Sequence, residues 1–524
     1  MEHKIEKLIC EILGISEFGE QDDFFLKGGG SLEAIKLRNC IRTELGCDIS
    51  LAEIFRHADL SSIASACRPL EVQQPEEGTI PVRAGELSLE QEGIWMYEKM
   101  YPSDYFRLTA IQEVQGEIDV ERLQLAIKQT VQNHEMLRAE VRLGKDGLPM
   151  IQIQESFSRT LEILNWSKMP FVSDKSVHDA VKMIALSLDM EKIEKTARFV
   201  LIKLPQHRSF LTIGIHHLYS DEASFQVIFR EIWDRYQNRT VRDADRYTTY
   251  IMEERRTGKL QVRSEKRERL ERLAEQLYLE IPCSGTVKPG EFSTFVKDVR
   301  ISDTYLQDLQ LMARSRNLTM HTLFLGAFQI LLHQLTGADL ISVGIPVNSR
   351  MDDRFSDTCG LFVRETLIIQ EISEADSFIT FCGKLQLTVV DQIMDASVPF
   401  ERLIRDLKHE KLLRTLPNHL HFNYIEETCR KDTKNGSPHI SAIRFAETGH
   451  LCDLGLIVER QESRCRIALV ANKNYLSESL LEGYADQFMT LLQTIVEGGM
   501  DRPISELCHV HSSDEDEIEA DFSF

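Results

Sequence analysis

Residues 210–236 read FLTIGIHHLYSDEASFQVIFREIWDRY and decide the fold of the larger part of this chain. The apolar beginning of this segment, up to His216, predicts a buried strand. The apolar residues that follow recur at helical spacing and predict an amphipathic helix with one broad buried face, formed by Phe225, Ile228, Phe229, Ile232, Trp233 and Tyr236. Two histidines and an aspartate stand at the junction, where side chains project into a cleft rather than a core.

Strand and helix signals alternate on both sides of this segment, as they do in α/β and α+β enzymes. A second apolar run over residues 199–204 precedes it. Thr319 can cap a later helix that ends at Gly337. A charge-rich helix is predicted over residues 263–279, which places a boundary near residue 258. About 430 residues exceed one ordinary core, so we predict two lobes.

A polar stretch with two prolines and a glycine, EVQQPEEGTIPV over residues 71–82, divides the chain as a tether would. The segment before it shows the apolar spacing of amphipathic helices and predicts a small helical bundle. We therefore divide the chain into five parts: a helical segment over 1–70, a linker over 71–84, an N-terminal lobe over 85–258, a C-terminal lobe over 259–508 and a tail over 509–524.

The composition argues against several classes of function. The chain has 524 residues and a formal net charge of -22, which disfavours binding to nucleic acid or to an anionic membrane. No apolar run approaches a membrane span and the N-terminus lacks the features of a signal peptide, so we expect a cytoplasmic protein. The 11 cysteines are scattered singly, and His509 and His511 have no ligand partners at suitable spacing. We therefore predict neither a disulfide framework nor a metal site.

The tail differs in kind from the rest of the chain. Six of the 13 residues from 512 to 524 are acidic, and the segment ends with Phe522 and Phe524. Such a segment cannot build a core, and two interpretations stay open: a solvated end, or a docking motif that folds onto a basic partner surface. Met1 and this distinctive tail favour a whole polypeptide over a piece of a longer one.

A serine follows three consecutive glycines in the stretch DDFFLKGGGSL, residues 22–32. Ser31 is placed to begin a helix, where a serine ordinarily serves as the cap. The glycines allow another molecule to approach the backbone closely, and the helix dipole favours a phosphodiester at this position. Taken alone, the pattern leaves both the structural and the functional interpretation open.

This stretch resembles the signature D-x-F-F-x-x-G-G-x-S-L of peptidyl carrier (thiolation) domains of nonribosomal peptide synthetases, and the resemblance extends over residues 1–70. It implies a small four-helix bundle in which Ser31 carries covalently attached phosphopantetheine. By the same resemblance, Asp23, Phe24 and Gly29 support the turn before the serine. The resemblance also implies a phosphopantetheinyl transferase as the partner that attaches the group.

The junction HHLYSDE, residues 216–222, contains an HHxxxD pattern. Adjacent strand residues point to opposite faces, so only one of the two histidines can face a given site. The pattern is similar to the HHxxxDG motif of condensation domains, which have a two-lobed α/β fold like that of chloramphenicol acetyltransferase. Further stretches resemble motifs of this family in the same order, namely 88–95 (the opening motif), 133–138 (RHExLR), 247–250 (a Tyr-rich stretch), 344–350 (GxPxxxR) and 360–363 (GxFV).

The condensation-domain resemblance implies a role for each residue of the motif. His217 is the catalytic histidine, His216 supports it from inside the fold, and Asp221 forms a salt bridge with Arg350. The chemistry is consistent with this assignment, because an imidazole with an ordinary pKa of about 6.5 can accept a proton from an attacking amine near neutral pH.

Two places depart from the family pattern. Glu222 stands where the motif has glycine, and Arg364 and Glu365 replace the usual Asn-Thr after GxFV. A side chain at position 222 restricts the backbone more than glycine does, and both changes add charge near the expected substrate path. We consider two hypotheses for Arg364, a pair with Glu222 and a contact with an acidic group of the substrate. The changes are compatible with a degenerate domain, an unusual acceptor or no effect.

The leading interpretation is a carrier-condensation didomain of a nonribosomal peptide synthetase. As an acyltransferase it would move an acyl or peptidyl chain from Ser31 to an amine, forming an amide, or to an alcohol, forming an ester, in elongation or terminal release. Other synthetase subunits would supply the chain, and the acceptor would be an aminoacyl carrier or a small-molecule amine or alcohol. Two alternatives stay open: an epimerisation-type domain with the same HHxxxD motif, and a catalytically degenerate subunit that only docks other subunits.

Overall fold

The fold was analysed in a computed structural model of the chain. The structure describes residues 1–19, 22–24, 27, 29, 31–50, 53–54, 58–69, 85–100, 105–145, 147–155, 161–170, 173–187, 197–256, 264–273, 276–283, 285, 293–299, 301–350, 352–395, 419–426, 438–446, 450–461 and 464–508. The predicted tail over 509–524 and the lobe boundary near residue 258 lie outside these residues, as does the linker over 71–84.

The N-terminal segment folds as a small helical domain. Its named helices are α1 (Glu2–Leu13), α2 (Ser31–Leu45) and α3 (Leu60–Ala66), and residues 53 and 54 are also helical. Two short strands, β1 (Cys47–Asp48) and β2 (Arg68–Pro69), pair antiparallel. The predicted helical domain is confirmed. The two strands were not predicted, because a strand of two residues is too short to show an alternating apolar pattern. The core is formed by buried apolar residues, among them Ile5, Leu8, Ile9, Phe24, Leu37, Ile41, Ile54, Leu60 and Ile63.

The next part of the chain forms the first lobe of the large domain, the N-lobe. Its elements are α4 (Leu89–Met100), β3 (Arg107–Gln115), α5 (Val120–Asn133), β4 (Ala139–Leu143), β5 (Pro149–Ile153), β6 (Glu162–Asn165), α6 (Asp174–Leu186), β7 (Ala197–Lys203), β8 (Arg208–His216), α7 (Glu222–Tyr236) and α8 (Tyr247–Arg256). Helix α9 (Ser264–Leu273) comes next in the chain. Residues of β7 alternate between two cores, since Phe199 and Leu201 pack with α5 and α7, and Val200 and Ile202 pack with α6.

The second lobe, the C-lobe, is built around a larger sheet. Its elements are β9 (Thr294–Val299), α10 (Asp303–Ser315), α11 (Met320–Thr336), β10 (Leu340–Asn348), β11 (Val363–Glu371), α12 (Phe378–Asp395), β12 (Leu420–Glu426), β13 (His439–Ala446), β14 (Leu454–Gln461), β15 (Arg464–Asn472), α13 (Glu478–Val496) and α14 (Ile504–Cys508). Six of these strands form one sheet in the order β11-β10-β12-β14-β15-β9. Helices α10 to α13 share one apolar core with one face of this sheet.

Strand β13 crosses to the other lobe. It pairs antiparallel with β3, so the N-lobe sheet has the order β13-β3-β8-β7-β6. The amide of Gln112 donates to the carbonyl of Ser441, 329 residues later in the chain. The division into lobes over 85–258 and 259–508 therefore needs one correction, because residues 439–446 belong to the N-lobe sheet. Sequence periodicity reports whether a segment is a strand and not which sheet it joins.

The elements predicted from apolar spacing are largely present. Helix α7 is confirmed, and α11 begins after Thr319, whose side chain accepts a hydrogen bond from Thr322 N, and ends at Gly337 in a left-handed conformation. The charge-rich helix predicted over 263–279 is too long, because the described helix ends at Leu273 and residues 276–283 are not helical. Charge patterning continues past the end of a helix, so it locates this end poorly.

Candidate active site

His217 lies where β8 ends, in a short 3-10 turn from His217 to Tyr219. Its backbone N–H donates to the carbonyl of Phe106 at 2.7 Å, and its ring Nδ1 lies 2.8 Å from the carbonyl oxygen of Ser220. A carbonyl can only accept, so Nδ1 carries the proton and Nε2 keeps its lone pair. Burial lowers the pKa of His217 below 6.5, which keeps the imidazole neutral at physiological pH. The side chain therefore has the protonation state that a general base requires.

His216 points into the fold and has the opposite tautomer. Its Nδ1 accepts a hydrogen bond from Leu218 N at 3.1 Å, so its proton resides on Nε2. That nitrogen lies 2.9 Å from a carboxylate oxygen of Glu98 on α4. His216 is buried, and it packs near Phe106 and Tyr219. The ring of His216 is therefore held inside the fold and bonded to the backbone of the turn that carries His217.

Asp221 closes the motif and is fully buried beside Arg350. The guanidinium donates to both carboxylate oxygens, at 2.6 Å and 2.8 Å, so the predicted salt bridge is present. Asp221 is also the N-cap of α7, where it accepts from Ser224 N at 2.8 Å, and it accepts from Phe362 N at 3.0 Å. Burial alone would raise the pKa of Asp221, but the charge and hydrogen bonds of Arg350 lower it.

The Asp221–Arg350 pair joins the two halves of the large domain. Arg350 follows β10 of the C-lobe, and Asp221 begins a helix of the N-lobe. The guanidinium also stacks over the ring of Phe362, with 4.2 Å between its Cζ atom and the ring centroid. The GxPxxxR, GxFV and HHxxxD stretches, distant in sequence, therefore meet at one place.

Gly360 allows the GxFV stretch to pass closely over the N-lobe. A Cβ atom at position 360 would lie 2.1 Å from the ring of Tyr247, so no other residue fits without a shift of that ring. The Tyr247 hydroxyl donates to the carbonyl of Leu361 at 2.6 Å. Gly360 N donates to the hydroxyl of Ser224 at 3.1 Å. These contacts hold the loop against the turn that follows His217.

Glu222 is the first residue of α7 and has ordinary helical backbone geometry. A carboxylate in the first turn of a helix is favoured by the helix dipole, so the missing motif glycine does not disrupt this turn. Burial raises the pKa of Tyr105, and the charges of Glu365 and Glu222 add to that effect. Tyr105 directly precedes Phe106, which contacts His217, so both added carboxylates lie near the candidate site.

Arg364 is placed differently from the hypothesis of a pair with Glu222. The structure gives it ion pairs with Glu90 of α4 and Glu254 of α8. Burial alone would lower the pKa of Arg364, but the charge of Glu90 and the interactions with Tyr250 and Tyr247 together outweigh burial and raise it. The guanidinium is therefore charged and is balanced by two glutamates of the N-lobe.

Ser31, the predicted attachment residue, begins α2 of the small domain. A Cβ at position 29 would lie 2.4 Å from the ring of Phe24, and Gly29 N donates to the carbonyl of Phe24 at 2.9 Å. Gly29 is two residues before Ser31, which stands at the start of the helix, where unsatisfied backbone N–H groups favour a phosphate. The surroundings therefore fit a phosphodiester on Ser31. Gly28 and Gly30 lie outside the described residues.

In the part of the chain that the structure describes, no group of three or more His, Cys, Asp or Glu side chains could hold a metal ion. The helices of this part include none that is long and apolar enough to cross a membrane.

Comparison with known proteins decides the family. The family model described as Condensation domain matches residues 84–518. The chain belongs to the condensation domain family. A second model, Phosphopantetheine attachment site, matches residues 3–67, so a carrier domain precedes the condensation domain. This is the architecture predicted from the sequence, and its cofactor is covalently attached phosphopantetheine.

The curated relatives of this condensation domain protein are large synthetases. Gramicidin S synthase 2 of Aneurinibacillus migulanus is 24% identical over 516 residues, which are 95% of this chain and 11% of that protein. Tyrocidine synthase 2 of Brevibacillus parabrevis is 25% identical over 423 residues, which are 78% of this chain and 11% of that protein. The chain therefore spans less than a fifth of the length of either relative.

Solved condensation domains share the fold of the large domain. The condensation domain from Monacolin K polyketide synthase MokA has a TM-score of 0.67 at 14% identity, over 80% of this chain and 98% of that one. The first condensation domain of the calcium-dependent antibiotic (CDA) synthetase has a TM-score of 0.65 at 15% identity, over 81% of this chain and 98% of that one. At these identities the likeness supports the two-lobed fold.

Some residues around the candidate site were not singled out in the sequence. Glu98 has no motif to mark it, and it becomes relevant because α4 packs beside the end of β8. Ser224 could have been noticed three residues after Asp221, since the two side chains form a capping box. Glu254 lacks any local signal, because its ion-pair partner is 110 residues away in sequence.

Proposed function

We propose that this chain holds an acyl or peptidyl thioester through Ser31 and transfers the acyl group to an amine or alcohol at His217. One observation carries the proposal: His217 Nδ1 is held by the Ser220 carbonyl, so a neutral Nε2 is left at the end of β8 beside a buried inter-lobe ion pair. A carrier domain on the same chain makes the acyl donor available.

The proposed chemistry needs little from the protein beyond one base and two well-held substrates. Phosphopantetheine on Ser31 supplies the thiol that carries the activated acyl group. His217 Nε2 accepts a proton from the incoming nucleophile as its nitrogen or oxygen bonds to the acyl carbon, and the proton passes to the departing sulfur. Ser220 keeps the imidazole in this tautomer, and Asp221 with Arg350 keeps the turn in place.

The proposal extends to partners. A phosphopantetheinyl transferase would modify Ser31, and other synthetase subunits would deliver the acyl chain. The acceptor would be an aminoacyl group on another carrier or a small-molecule amine or alcohol, in elongation or terminal release. The acidic tail as a docking motif stays a prediction, because residues 509–524 lie outside the described part of the chain.

The test is a single-turnover assay followed by intact-protein mass spectrometry. Ser31 is charged with acyl-phosphopantetheine, and amines, alcohols and an aminoacyl carrier are then offered separately. Loss of the acyl mass to one class of nucleophile supports a condensing enzyme and names its acceptor. Deuterium uptake from solvent into a loaded aminoacyl group without bond formation would instead support the epimerisation alternative, and stable acyl-protein in every arm would support a docking role without catalysis.

Ser31→Ala is expected to abolish the mass increase that a phosphopantetheinyl transferase produces. The serine hydroxyl oxygen is the atom that would bond to phosphorus, and alanine has none. Intact-protein mass spectrometry after incubation with the transferase and coenzyme A measures the result. Ser50→Ala is a matched control on the same domain and should load fully. A full-size mass increase in Ser31→Ala would show that another residue is modified.

The pH dependence of transfer should reflect the lowered pKa of His217. Because burial lowers this pKa below 6.5, the base stays neutral through neutral pH and becomes protonated only on further acidification. The single-turnover rate should therefore be flat around neutrality and fall at a pH below 6.5. A rate profile from about pH 5 to pH 8 checks this, with the amount of loaded Ser31 measured at each pH. An acid limb centred above 6.5 would contradict the assignment.

A further inference from the structure

We propose that Arg364 is a positioning residue that clasps the two lobes together and so holds the condensation site in working geometry. The effect on acyl transfer rests on the proposed function. The clasp, which is the set of ion pairs between Arg364 and the N-lobe, rests on the structure alone. Arg364 lies at the beginning of β11, at the edge of the C-lobe sheet. Its side chain is 7% exposed and pairs with two N-lobe carboxylates, those of Glu90 (6% exposed) and Glu254 (5% exposed).

The charges of this cluster come from both lobes. Glu90 is in the first turn of α4, and Glu254 is near the end of α8, so the ion pairs bring one strand of the C-lobe against two helices of the N-lobe. Burying charges in this way gives little net stability, because desolvation offsets most of the attraction. The best-attested role of such buried ionic groups is to specify one arrangement of the elements that carry them. Here that arrangement is the relative placement of the lobes.

A continuous set of contacts leads from the cluster to the motif. Arg364 donates to the Tyr250 hydroxyl at 2.8 Å, and this hydroxyl lies 3.0 Å from the hydroxyl of Ser349. Ser349 directly precedes Arg350, which pairs with Asp221 at the turn that follows His217. Contacts alone do not demonstrate energetic coupling. The test therefore measures one effect at the Arg364 cluster and another at the His217 site.

The geometry also favours the clasp over direct binding of an acidic substrate group. The guanidinium is nearly enclosed, and two carboxylates already balance its charge. A substrate carboxylate would therefore meet an excess of negative charge at this place. If Arg364 acts through lobe placement, its loss slows neutral and acidic substrates by the same factor.

The experiment compares Arg364→Met with a matched surface variant, Arg354→Met. Arg354 also links a loop of the C-lobe to α8, through Glu253, but at 48% exposure. Hydrogen-exchange mass spectrometry on α4, α8 and the start of β11 reports the clasp, and single-turnover transfer reports its effect on the site. We expect the amide hydrogens of these elements to exchange faster in Arg364→Met, and acyl transfer to be about 10²-fold slower. For a free acceptor, kcat should change by a larger factor than KM. Arg354→Met should resemble the wild type in both measurements.

Rescue by a charge-swapped double variant separates positioning from loss of a fold. Arg364→Glu with Glu90→Arg keeps one guanidinium and two carboxylates in the cluster, and it should recover most of the exchange protection and rate lost in Arg364→Glu alone. If Arg364→Met does not fold, hydrogen exchange and transfer are measured in Arg364→Lys, which keeps the charge. Wild-type exchange and rate in a folded Arg364→Met, a rate loss confined to acidic substrates, or wild-type behaviour of Arg364→Glu would overturn the clasp. If the wild type itself transfers nothing, the proposed function fails and the exchange data alone decide the clasp.

Discussion

His217→Ala is expected to slow acyl transfer by about 10²–10⁴-fold, the usual contribution of a positioned general base. The structure supplies the reason, since Ser220 holds Nδ1 and leaves a neutral Nε2 to accept the proton of the nucleophile. Some turnover should persist, because holding the donor and acceptor together lowers the barrier without any base. Single-turnover kinetics with a charged Ser31 measure the loss.

Two controls make this result specific to the base. Loading of Ser31 must be unchanged in His217→Ala, since the modification takes place on the other domain. His439→Ala removes an exposed histidine on β13 of the same domain and should transfer at the wild-type rate. An unchanged rate in His217→Ala would exclude this side chain as the base and leave positioning as the whole of the catalytic effect.

Asp221→Ala should destabilise the condensation domain by about 3–5 kcal/mol, because it leaves the Arg350 guanidinium buried without its counter-ion. Arg350 is 5% exposed and Asp221 is fully buried, so water cannot replace the lost partner without opening the lobes. The change also removes the N-cap of α7 and an acceptor for Phe362 N. Urea denaturation followed by circular dichroism measures the shift in the transition of the large domain.

A surface ion pair provides the matched comparison for this loss. Glu482→Ala removes a pair with Lys297 in which both side chains are more than a third exposed, so it should leave the transition close to that of the wild type. Asp221→Asn keeps the shape of the side chain and some of its hydrogen bonds. Its urea transition should therefore lie between those of the wild type and Asp221→Ala. If the midpoint of the urea transition is the same in Asp221→Ala as in the wild type, the buried pair of Asp221 and Arg350 does not hold the lobes together.

The departures from the family pattern have physical explanations that the sequence could not supply. Glu222 is accommodated because the motif turn continues into a regular helix, so no left-handed residue is needed there. Arg364 is accommodated because two acidic residues of the N-lobe face it. Glu90 belongs to a motif that was recognised for its pattern, and Glu254 lies in a helix for which no charged role was predicted. Only the packing of α4 and α8 against β11 relates the three.

The sequence by itself determined the local features and the family. Apolar spacing located β8, α7 and α11, and the motifs around Ser31 and His217 identified the carrier and condensation domains. It also predicted the Asp221–Arg350 pair through the family resemblance, although the two residues are 129 positions apart. The local features are readable because spacing within one element and the content of a motif are properties of neighbouring residues, whereas the pair came only from the family resemblance.

Only the tertiary structure decided which distant elements meet. It placed β13 in the sheet of the other lobe, brought Glu98 of α4 to His216, and put Arg364 between two glutamates. Each of these depends on contacts between segments far apart in sequence, where packing and the cost of burying an unpaired charge select one arrangement from many. No periodicity within a single segment records that selection.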